Sequence, residues 1–291
     1  MSERKGGSPS GVASVLLAGT LWGIIGIWTR NLMAGGLSPW SIVSVRNLAG
    51  LAVLTPLCAI FDRSVFHVEL RHLKYFFGTG ILSTVVYTLC YYTCQRICSL
   101  AVATVFMYTS PIFVVLLSAL LWRERITGRK VLALVLTVAG CAMTCGLLSG
   151  HQTVTALGVA LGLGSGFFYS LYSIFSRCAL AHYSSMTVTY WTYVFSALGS
   201  LFILRPSEIA SAFSQPYMWG LAAGMVVVSS MLPVILYTRG LATVEAGRAS
   251  IMCSVELVVA CVVGILAFRE PLTILSAAGV VCILVAVYML R

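Results

Sequence analysis

Apolar stretches long enough to form a membrane-spanning helix, about 20 residues each, follow one another along almost the whole chain. Only 9% of the 291 residues are charged, whereas about 25% are charged in an ordinary soluble domain. The mean hydropathy is correspondingly high, at +0.99. A chain of this kind cannot leave its surface in water, so the sequence predicts an all-α integral membrane protein.

Ten segments have the length and composition of a spanning helix, and each is bounded by charged residues, proline or glycine. In chain order they are residues 11–31, 38–61, 73–94, 99–122, 129–148, 154–178, 186–204, 216–238, 247–268 and 271–290. Because the joints between them are short, we expect one compact bundle of ten transmembrane helices.

The positions of lysine and arginine predict the orientation of this bundle, because cytoplasmic loops carry an excess of both residues. With a cytoplasmic N-terminus, thirteen of them fall on the inner side, and four fall outside: Arg30, Arg96, Arg205 and Arg269. We therefore expect a multi-pass protein of the inner or plasma membrane with both termini in the cytoplasm. The formal charge of +10 then reflects topology, and we expect no nucleic-acid partner.

Two nearly identical motifs end apolar segments half a chain apart. RERIT covers residues 123–127 and REPLT covers residues 269–273, a shift of 146. A shift of 147 places GTLWGIIGIWTR (19–30) over GFFYSLYSIFSR (166–177). We expect the charged residues of both motifs to reach the lipid headgroups, and the threonine to cap the next helix.

This self-similarity predicts two copies of one five-helix unit, residues 1–148 and residues 154–291. Because five is odd, the second copy must cross the membrane in the opposite direction. Inverted repeats of this kind are typical of secondary transporters, whose substrate site lies between the repeats near the bilayer midplane.

Short motifs inside the predicted spans resemble those of a known family of membrane proteins. Span 1 carries Trp22-Gly23, span 4 carries Ser110-Pro111, and span 9 carries Glu256 in its middle. With the five-plus-five arrangement and the repeated RE-x-[I/L]-T ends, the chain resembles the EamA family of the drug/metabolite transporter superfamily over nearly its whole length. The resemblance implies a carrier, in particular an exporter or exchanger, of small metabolites such as amino acids. The chain departs from the family pattern at Leu257, since the proline and the glutamate lie in different halves.

Two charged residues lie deep inside predicted spans. Arg46 is about eight residues into span 2 and Glu256 about nine into span 9, near 12 Å from the membrane surface at about 1.5 Å per residue. An ion at the bilayer centre costs at least about 2.5–3.5 kcal/mol, so both should face a polar cavity or each other. A zwitterionic amino acid would offer its carboxylate to Arg46 and its ammonium to Glu256. The alternatives are a structural ion pair, or an Arg46 that reaches outward along its stem.

Aromatic side chains form a second candidate group, because a tyrosine in mid-span needs a partner for its hydroxyl and prefers a wet cavity to lipid. With Arg46 and Glu256, the predicted substrate-binding residues are Trp22, Tyr91, Tyr108, Tyr169 and Tyr172. Plain helix packing is the alternative for each of these aromatic residues.

Other aromatic residues lie near span ends, where membrane-interface positions are expected: Tyr183, Tyr190, Tyr193 and Trp219. Pro111 removes a backbone hydrogen bond in mid-span, so we predict a kink that serves as a hinge. Glycines four residues apart favour close helix packing within one bundle, and we expect a monomer or a weak dimer.

No pattern indicates an enzyme, a metal site or a cofactor. The four histidines lie between spans, the single aspartate is Asp62 in a loop, and no glycine-rich loop with a lysine is present. We read the ten cysteines as small packing residues.

The sequence therefore predicts a secondary transporter that moves small polar metabolites, amino acids or related compounds, by alternating access in the lipid bilayer. Glu256 is the single acid inside a span and is the candidate for proton coupling. A lipid-linked sugar flippase and a non-transporting membrane scaffold or sensor remain as alternatives.

Overall fold

The structure is a computed structural model that describes residues 8–147 and 154–290, and these residues form helices and no strands. Eight helices in this part of the chain are long and apolar enough to cross a membrane. Two further helices have 17 residues each. In chain order, the eight long helices and these two are α1 (Pro9–Ala34), α2 (Pro39–Phe61), α3 (Leu70–Ile97), α4 (Leu100–Trp122), α5 (Gly128–Thr144), α6 (Ala156–Ala179), α7 (Ser185–Ile203), α8 (Pro216–Leu241), α9 (Ala246–Phe268) and α10 (Ile274–Leu290).

The ten predicted spans are therefore not all matched by helices of spanning length. At about 1.5 Å per residue, the 17 residues of α5 and of α10 cover about 26 Å, short of a hydrocarbon core of about 30 Å. The tenth segment was expected from residue 271, but residues 269–273 are not helical and α10 begins at Ile274. The predicted end of the fifth span, residue 148, lies outside the described residues.

The two RE motifs end α4 and α9 in the same way. Arg123 and Arg269 adopt left-handed backbone conformations, with φ of 53° and 56°, and a residue in this conformation stops an α-helix. Thr127 then accepts a hydrogen bond from the backbone of Lys130 at 3.3 Å, and Thr273 accepts one from Ser276 at 3.1 Å. The predicted capping role of both threonines is confirmed.

Irregular helical segments also recur at matching positions in the two halves. α4 is interrupted between Leu100–Met107 and Ser110–Trp122, and α9 is interrupted at Ser254. The repeat shift of 146 places Ser254 over Tyr108, which lies in the interruption of α4. π-helical turns occupy Gly78–Val86 in α3 and Val227–Met231 in α8. The duplication therefore includes the deviations from ideal helix geometry, which often mark functional sites.

Helices of the two halves interleave reciprocally. α1 packs on α8 and α9, while its counterpart α6 packs on α3 and α4. Glycines permit this contact, because a Cβ atom at Gly23 would lie 2.7 Å from the Glu256 carbonyl oxygen, and one at Gly166 would lie 2.7 Å from the Phe106 carbonyl oxygen. These glycines therefore pack within the bundle.

The shorter helices α5 and α10 pack on each other in opposite directions. A Cβ atom at Gly140 would meet Ile283 at 2.7 Å, and one at Gly279 would meet Thr144 at 2.9 Å. Residue numbers thus rise along α5 where they fall along α10, so the two helices are antiparallel. This pair lies beside the other eight helices and holds the ends of the two halves together.

Candidate functional site

A cavity of about 480 Å³ lies between the two halves, lined by residues of every helix except α5 and α10. Trp22 of α1, Arg46 of α2, Tyr91 of α3, Tyr169 of α6 and Glu256 of α9 are among its walls. The interrupted region of α4, Tyr108 to Pro111, also reaches it. The helix breaks and the cavity thus coincide in the middle of the bundle.

The bundle has two ends, which we name after two arginines. The Arg30 end contains the end of α1, and the Arg177 end contains the end of α6. The start of α1 is at the Arg177 end, since a Cβ atom at Gly11 would lie 3.2 Å from Val244, just before the start of α9. The start of α9 lies at the Arg177 end as well, since a Cβ atom at Gly247 would lie 3.6 Å from Glu124 Oε2, and Glu124 is paired with Arg177.

The cavity is continuous with the Arg30 end. Its lining includes Arg30, Met33 and Leu100, of which Met33 is 48% exposed and Leu100 57% exposed. Toward the Arg177 end, the rings of Trp22 and Tyr172 flank Tyr237, with centroids 5.5 and 6.0 Å from it. These three rings form the floor of the cavity.

Below the floor lies an apolar cluster, with the buried residues Val15, Ala18, Ala249 and Ile251 among its members. This cluster separates the cavity from the Arg177 end. In this structure the cavity therefore opens at one end of the bundle.

All seven residues that the sequence singled out as substrate-binding line this cavity, and so does Pro111. They are Trp22, Arg46, Tyr91, Tyr108, Tyr169, Tyr172 and Glu256. Pro111 is at the start of the second segment of α4, where a proline interrupts no backbone hydrogen bond of that segment. The binding role of these residues and the hinge role of Pro111 stay predictions.

Arg46 and Glu256 are half-buried and form no ion pair with each other or with another residue of the described chain. The structural ion pair, one of the alternatives above, is thus not formed in this structure. Tyr87 lies within electrostatic range of both charges. Two opposite charges therefore line the same cavity, with Tyr87 near both.

Local structure explains why a carboxylate is tolerated at Glu256. The second segment of α9 begins at Val255, directly after the break at Ser254, so Glu256 occupies its first turn. The exposed N–H groups of a helix N-terminus carry partial positive charge, which stabilises a negative side chain. The Tyr108 hydroxyl also faces this carboxylate.

Hydrogen bonds fix the orientation of several cavity tyrosines. The Tyr172 hydroxyl lies 2.7 Å from Thr238 Oγ1, and the Tyr237 hydroxyl lies 2.8 Å from Ser173 Oγ. Tyr91 makes a similar contact of 3.1 Å with Thr104. These bonds connect helices, so they position the walls of the cavity as well as satisfying the hydroxyls.

Sequence reasoning missed several cavity residues, and Tyr193 is the clearest case. It was expected at the membrane interface, but it lines the cavity and is 4% exposed. Tyr190 is also buried, at 8% exposure. The repeat holds a signal for Tyr193, since a shift of 147 places it over Arg46. Tyr92 and Tyr237 belong to the same missed group.

No set of three or more His, Cys, Asp or Glu side chains in the described part of the chain is placed to hold a metal ion. Near the Arg177 end, His72 and His182 stack with ring centroids 4.3 Å apart, and His72 Nδ1 lies 2.7 Å from the Tyr183 hydroxyl. This contact joins α3 to the joint between α6 and α7, and none of these three residues lines the cavity.

Comparisons with known proteins agree with this architecture. The chain is 26% identical over 277 residues to an uncharacterized transporter of Archaeoglobus fulgidus, covering 95% of this chain and 94% of that protein. It is 24% identical over 303 residues to the uncharacterized inner membrane transporter YicL of Salmonella typhimurium, covering 98% and 96%. A protein crystal structure of the same fold superposes with a TM-score of 0.80 at 17% identity, covering 96% of each chain.

The model of the EamA-like transporter family matches twice, at residues 9–146 and at residues 156–291. Each match covers one of the two halves related by the sequence repeat. Together they span nearly the whole chain, and they agree with the reciprocal packing of the helices. This multi-pass membrane protein belongs to the EamA-like transporter family.

Proposed function

We propose that this protein is a secondary transporter of small zwitterionic metabolites, amino acids or related compounds, which it exports across the cytoplasmic membrane by alternating access. The observation that carries the proposal is the presence of Arg46 and Glu256, without ion-pair partners among the described residues, on the wall of one cavity. A solute with a carboxylate and an ammonium group would neutralise both at once.

The size and lining of the cavity support a small solute. Its volume of about 480 Å³ lies in the range of about 300–1,000 Å³ usual for small-molecule sites. Nine of the described residues that line the cavity are tyrosine or tryptophan. Such rings contact the carbon skeleton of a solute while their hydroxyls bond its polar groups.

The topology that accompanies this proposal is a ten-helix inverted repeat in which α5 and α10 also cross, with both termini in the cytoplasm. The antiparallel contact of α5 with α10 supports the inversion. In that orientation the Arg30 end faces outward, so the cavity of this structure is open to the outside. Substrate export then requires a second state that opens at the Arg177 end.

Glu256 is the proposed site of proton coupling. Among the residues that the structure describes, it is the single glutamate or aspartate of the cavity wall. A proton and a cationic group of the substrate would therefore compete for the same carboxylate. In this scheme a proton from outside binds the Glu256 carboxylate and displaces the ammonium group of the substrate, which leaves to the outside. The proton is then released into the cytoplasm when the Arg177 end opens.

Proteoliposomes loaded with labelled amino acids test the proposal. We expect E256Q and R46A to reduce transport about 100-fold or more, because each leaves a substrate charge without its partner in a poorly hydrated site. The matched controls are E69Q and R96A, since neither residue lines the cavity. Monodisperse elution and an unchanged melting temperature would establish folding.

Transport at the wild-type rate in both cavity variants would exclude the charge-pair site. Lipid scrambling without transport of any solute would favour a lipid-linked sugar flippase. An absence of both activities would favour a scaffold or sensor.

A further inference from the structure

Two ion pairs join the halves of the protein at opposite ends of the bundle. At the Arg177 end, Arg177 of α6 donates to Glu124, which follows α4. At the Arg30 end, Arg30 Nη2 of α1 donates to Glu270 Oε1, which follows α9, at 2.6 Å. Each glutamate therefore binds an arginine of the other half.

An aromatic ring takes part in each pair. The guanidinium carbon of Arg177 lies 4.7 Å from the ring centroid of Trp122, and that of Arg30 lies 4.2 Å from the ring centroid of Phe268. Both distances are within the range of a cation–π contact. Each ring is two residues before the glutamate, across the left-handed arginine, so one turn presents a ring and a carboxylate to the same guanidinium.

The two assemblies are copies of one device. Trp122 and Glu124 correspond to Phe268 and Glu270 at a shift of 146, and Arg30 corresponds to Arg177 at a shift of 147. The repeated RE motif is thus half of a contact whose other half is the repeated arginine. The expectation that the charged residues of the RE motif reach the headgroups is wrong for Glu124, because its side chain is 7% exposed.

The copies differ in burial and in charge. The side chains of Glu124 and Arg177 are 7% and 26% exposed, whereas those of Arg30 and Glu270 are 51% and 47% exposed. Lys130 adds a second cation, with Nζ 3.6 Å from Glu124 and 2.8 Å from Glu245.

The position that corresponds to Lys130 in the second half is Ser276, which bonds Thr273. An exposed ion pair stabilises a structure little, but removing one partner of a buried pair leaves an uncompensated charge. Loss of one partner should therefore cost more at the Arg177 end than at the Arg30 end.

The difference in burial between the two assemblies matches the open and closed ends of the cavity. Arg30 lines the cavity where it reaches the surface, while Glu124, Lys130, Arg177 and Glu245 lie beyond its floor and line none of it. The buried assembly is thus at the closed end, and the exposed assembly is at the open end.

We propose that the two assemblies are alternating latches, and that the Glu124–Arg177 latch, reinforced by Lys130, sets the resting state open at the Arg30 end. When the Arg177 end opens, the Arg30–Glu270 latch is buried in its place. The proposal rests on the alternating access proposed above, but it assigns the closure of each end to named residues outside the substrate cavity.

Hydrogen–deuterium exchange of the full-length protein in nanodiscs, without any solute, tests the latches separately from transport. In E124Q and in R177Q we expect amide exchange in residues 122–130 and 177–185 to rise about tenfold, because a buried charge loses its partner. Exchange in residues 28–38 and 95–101 should fall in the same samples, as the Arg30 end closes. The conservative variant R177K should keep most of the protection.

E270Q is the matched control, since it breaks the exposed copy and should leave the Arg177 end unchanged. Equal exchange in E124Q, R177Q and wild type would overturn the proposal. Faster exchange at both ends would overturn it as well, because that pattern means general loosening. The proteoliposome transport assay described above reports on the proposed function. A protein that switches ends but transports no amino acid would contradict that function without changing the exchange result for the latches.

Discussion

Arg46 of α2 and Glu256 of α9 line one cavity and form no ion pair with each other. Other buried charges in the described residues behave differently, since Glu124 and Lys130 are compensated by direct partners. A protein that compensates charges elsewhere, yet leaves one cation and one anion facing a cavity, keeps both available. The relation between these residues therefore argues against a structural ion pair and supports the proposed substrate site.

The geometry of Arg46 should matter as well as its charge. A guanidinium binds a carboxylate through two parallel hydrogen bonds, which an ammonium cannot reproduce. We expect R46K to weaken binding of amino acids about tenfold, measured as the ligand concentration that produces half of the maximal thermal shift. R96K serves as the control, and equal affinity in R46K and wild type would contradict bidentate binding.

The floor of the cavity should depend on its tyrosine hydroxyls. Y237F removes the 2.8 Å contact with Ser173, and Y172F removes the 2.7 Å contact with Thr238. Because Ser173 and Thr238 are buried, each change should cost about 1–3 kcal/mol of unfolding free energy and lower the melting temperature by several degrees. Y288F at a 76% exposed position should change nothing. An unshifted melting temperature in both floor variants would mean that these bonds do not position the walls.

Close contact between α5 and α10 should tolerate no side chain at Gly140. A Cβ atom there would lie 2.7 Å from the Gly279 carbonyl oxygen, so we expect G140A to destabilise the protein by about 1–3 kcal/mol through overpacking. Neither helix lines the cavity, so the transport rate per folded molecule should stay near that of wild type. G220A is the control, since a Cβ atom at Gly220 would meet nothing within 4 Å. Equal stability of the two variants would show that α5 can move away from α10.

Acid should weaken the connection between the start of α2 and the short helix Pro206–Ala212. The ion-pair contact with Arg205, helped by hydrogen bonds from Ser38 and Ser41, lowers the pKa of Glu208 from its usual 4.5 to about 2. A lowered pKa in the folded state contributes stability above the unfolded value of about 4.5, and this contribution is lost as the pH falls toward 2.

The melting temperature of wild type should therefore exceed that of E208Q at pH 7, and the difference should shrink between pH 5 and pH 3, about where the unfolded carboxyl binds its proton. Thermal unfolding across this range measures the difference directly. A constant difference over the whole range would show that Glu208 acts through shape instead of charge.

Local sequence patterns were sufficient to predict much of the fold. Hydropathy reports which segments avoid water, so the bounds of α2, α4 and α9 were predicted to within a few residues. The repeated RE motif predicted a helix end and a threonine cap in both halves, because Thr127 and Thr273 act on their immediate neighbours. Arg46 and Glu256 stood out because an isolated charge is costly in any apolar segment.

The order of residues along the chain was sufficient to predict a membrane protein built from two related halves, and it identified candidate residues that meet at one cavity. The tertiary structure decided which residues of different halves come together. Tyr193 lines the cavity because α7 packs against α2 and the π-helical part of α3, and Glu124 is buried where Arg177 reaches it from α6. Neither contact follows from spacing along the chain, since both depend on how one half is placed against the other. The repeated RE motif showed that the chain is duplicated, but its arginine partners could be identified only once the helices were packed.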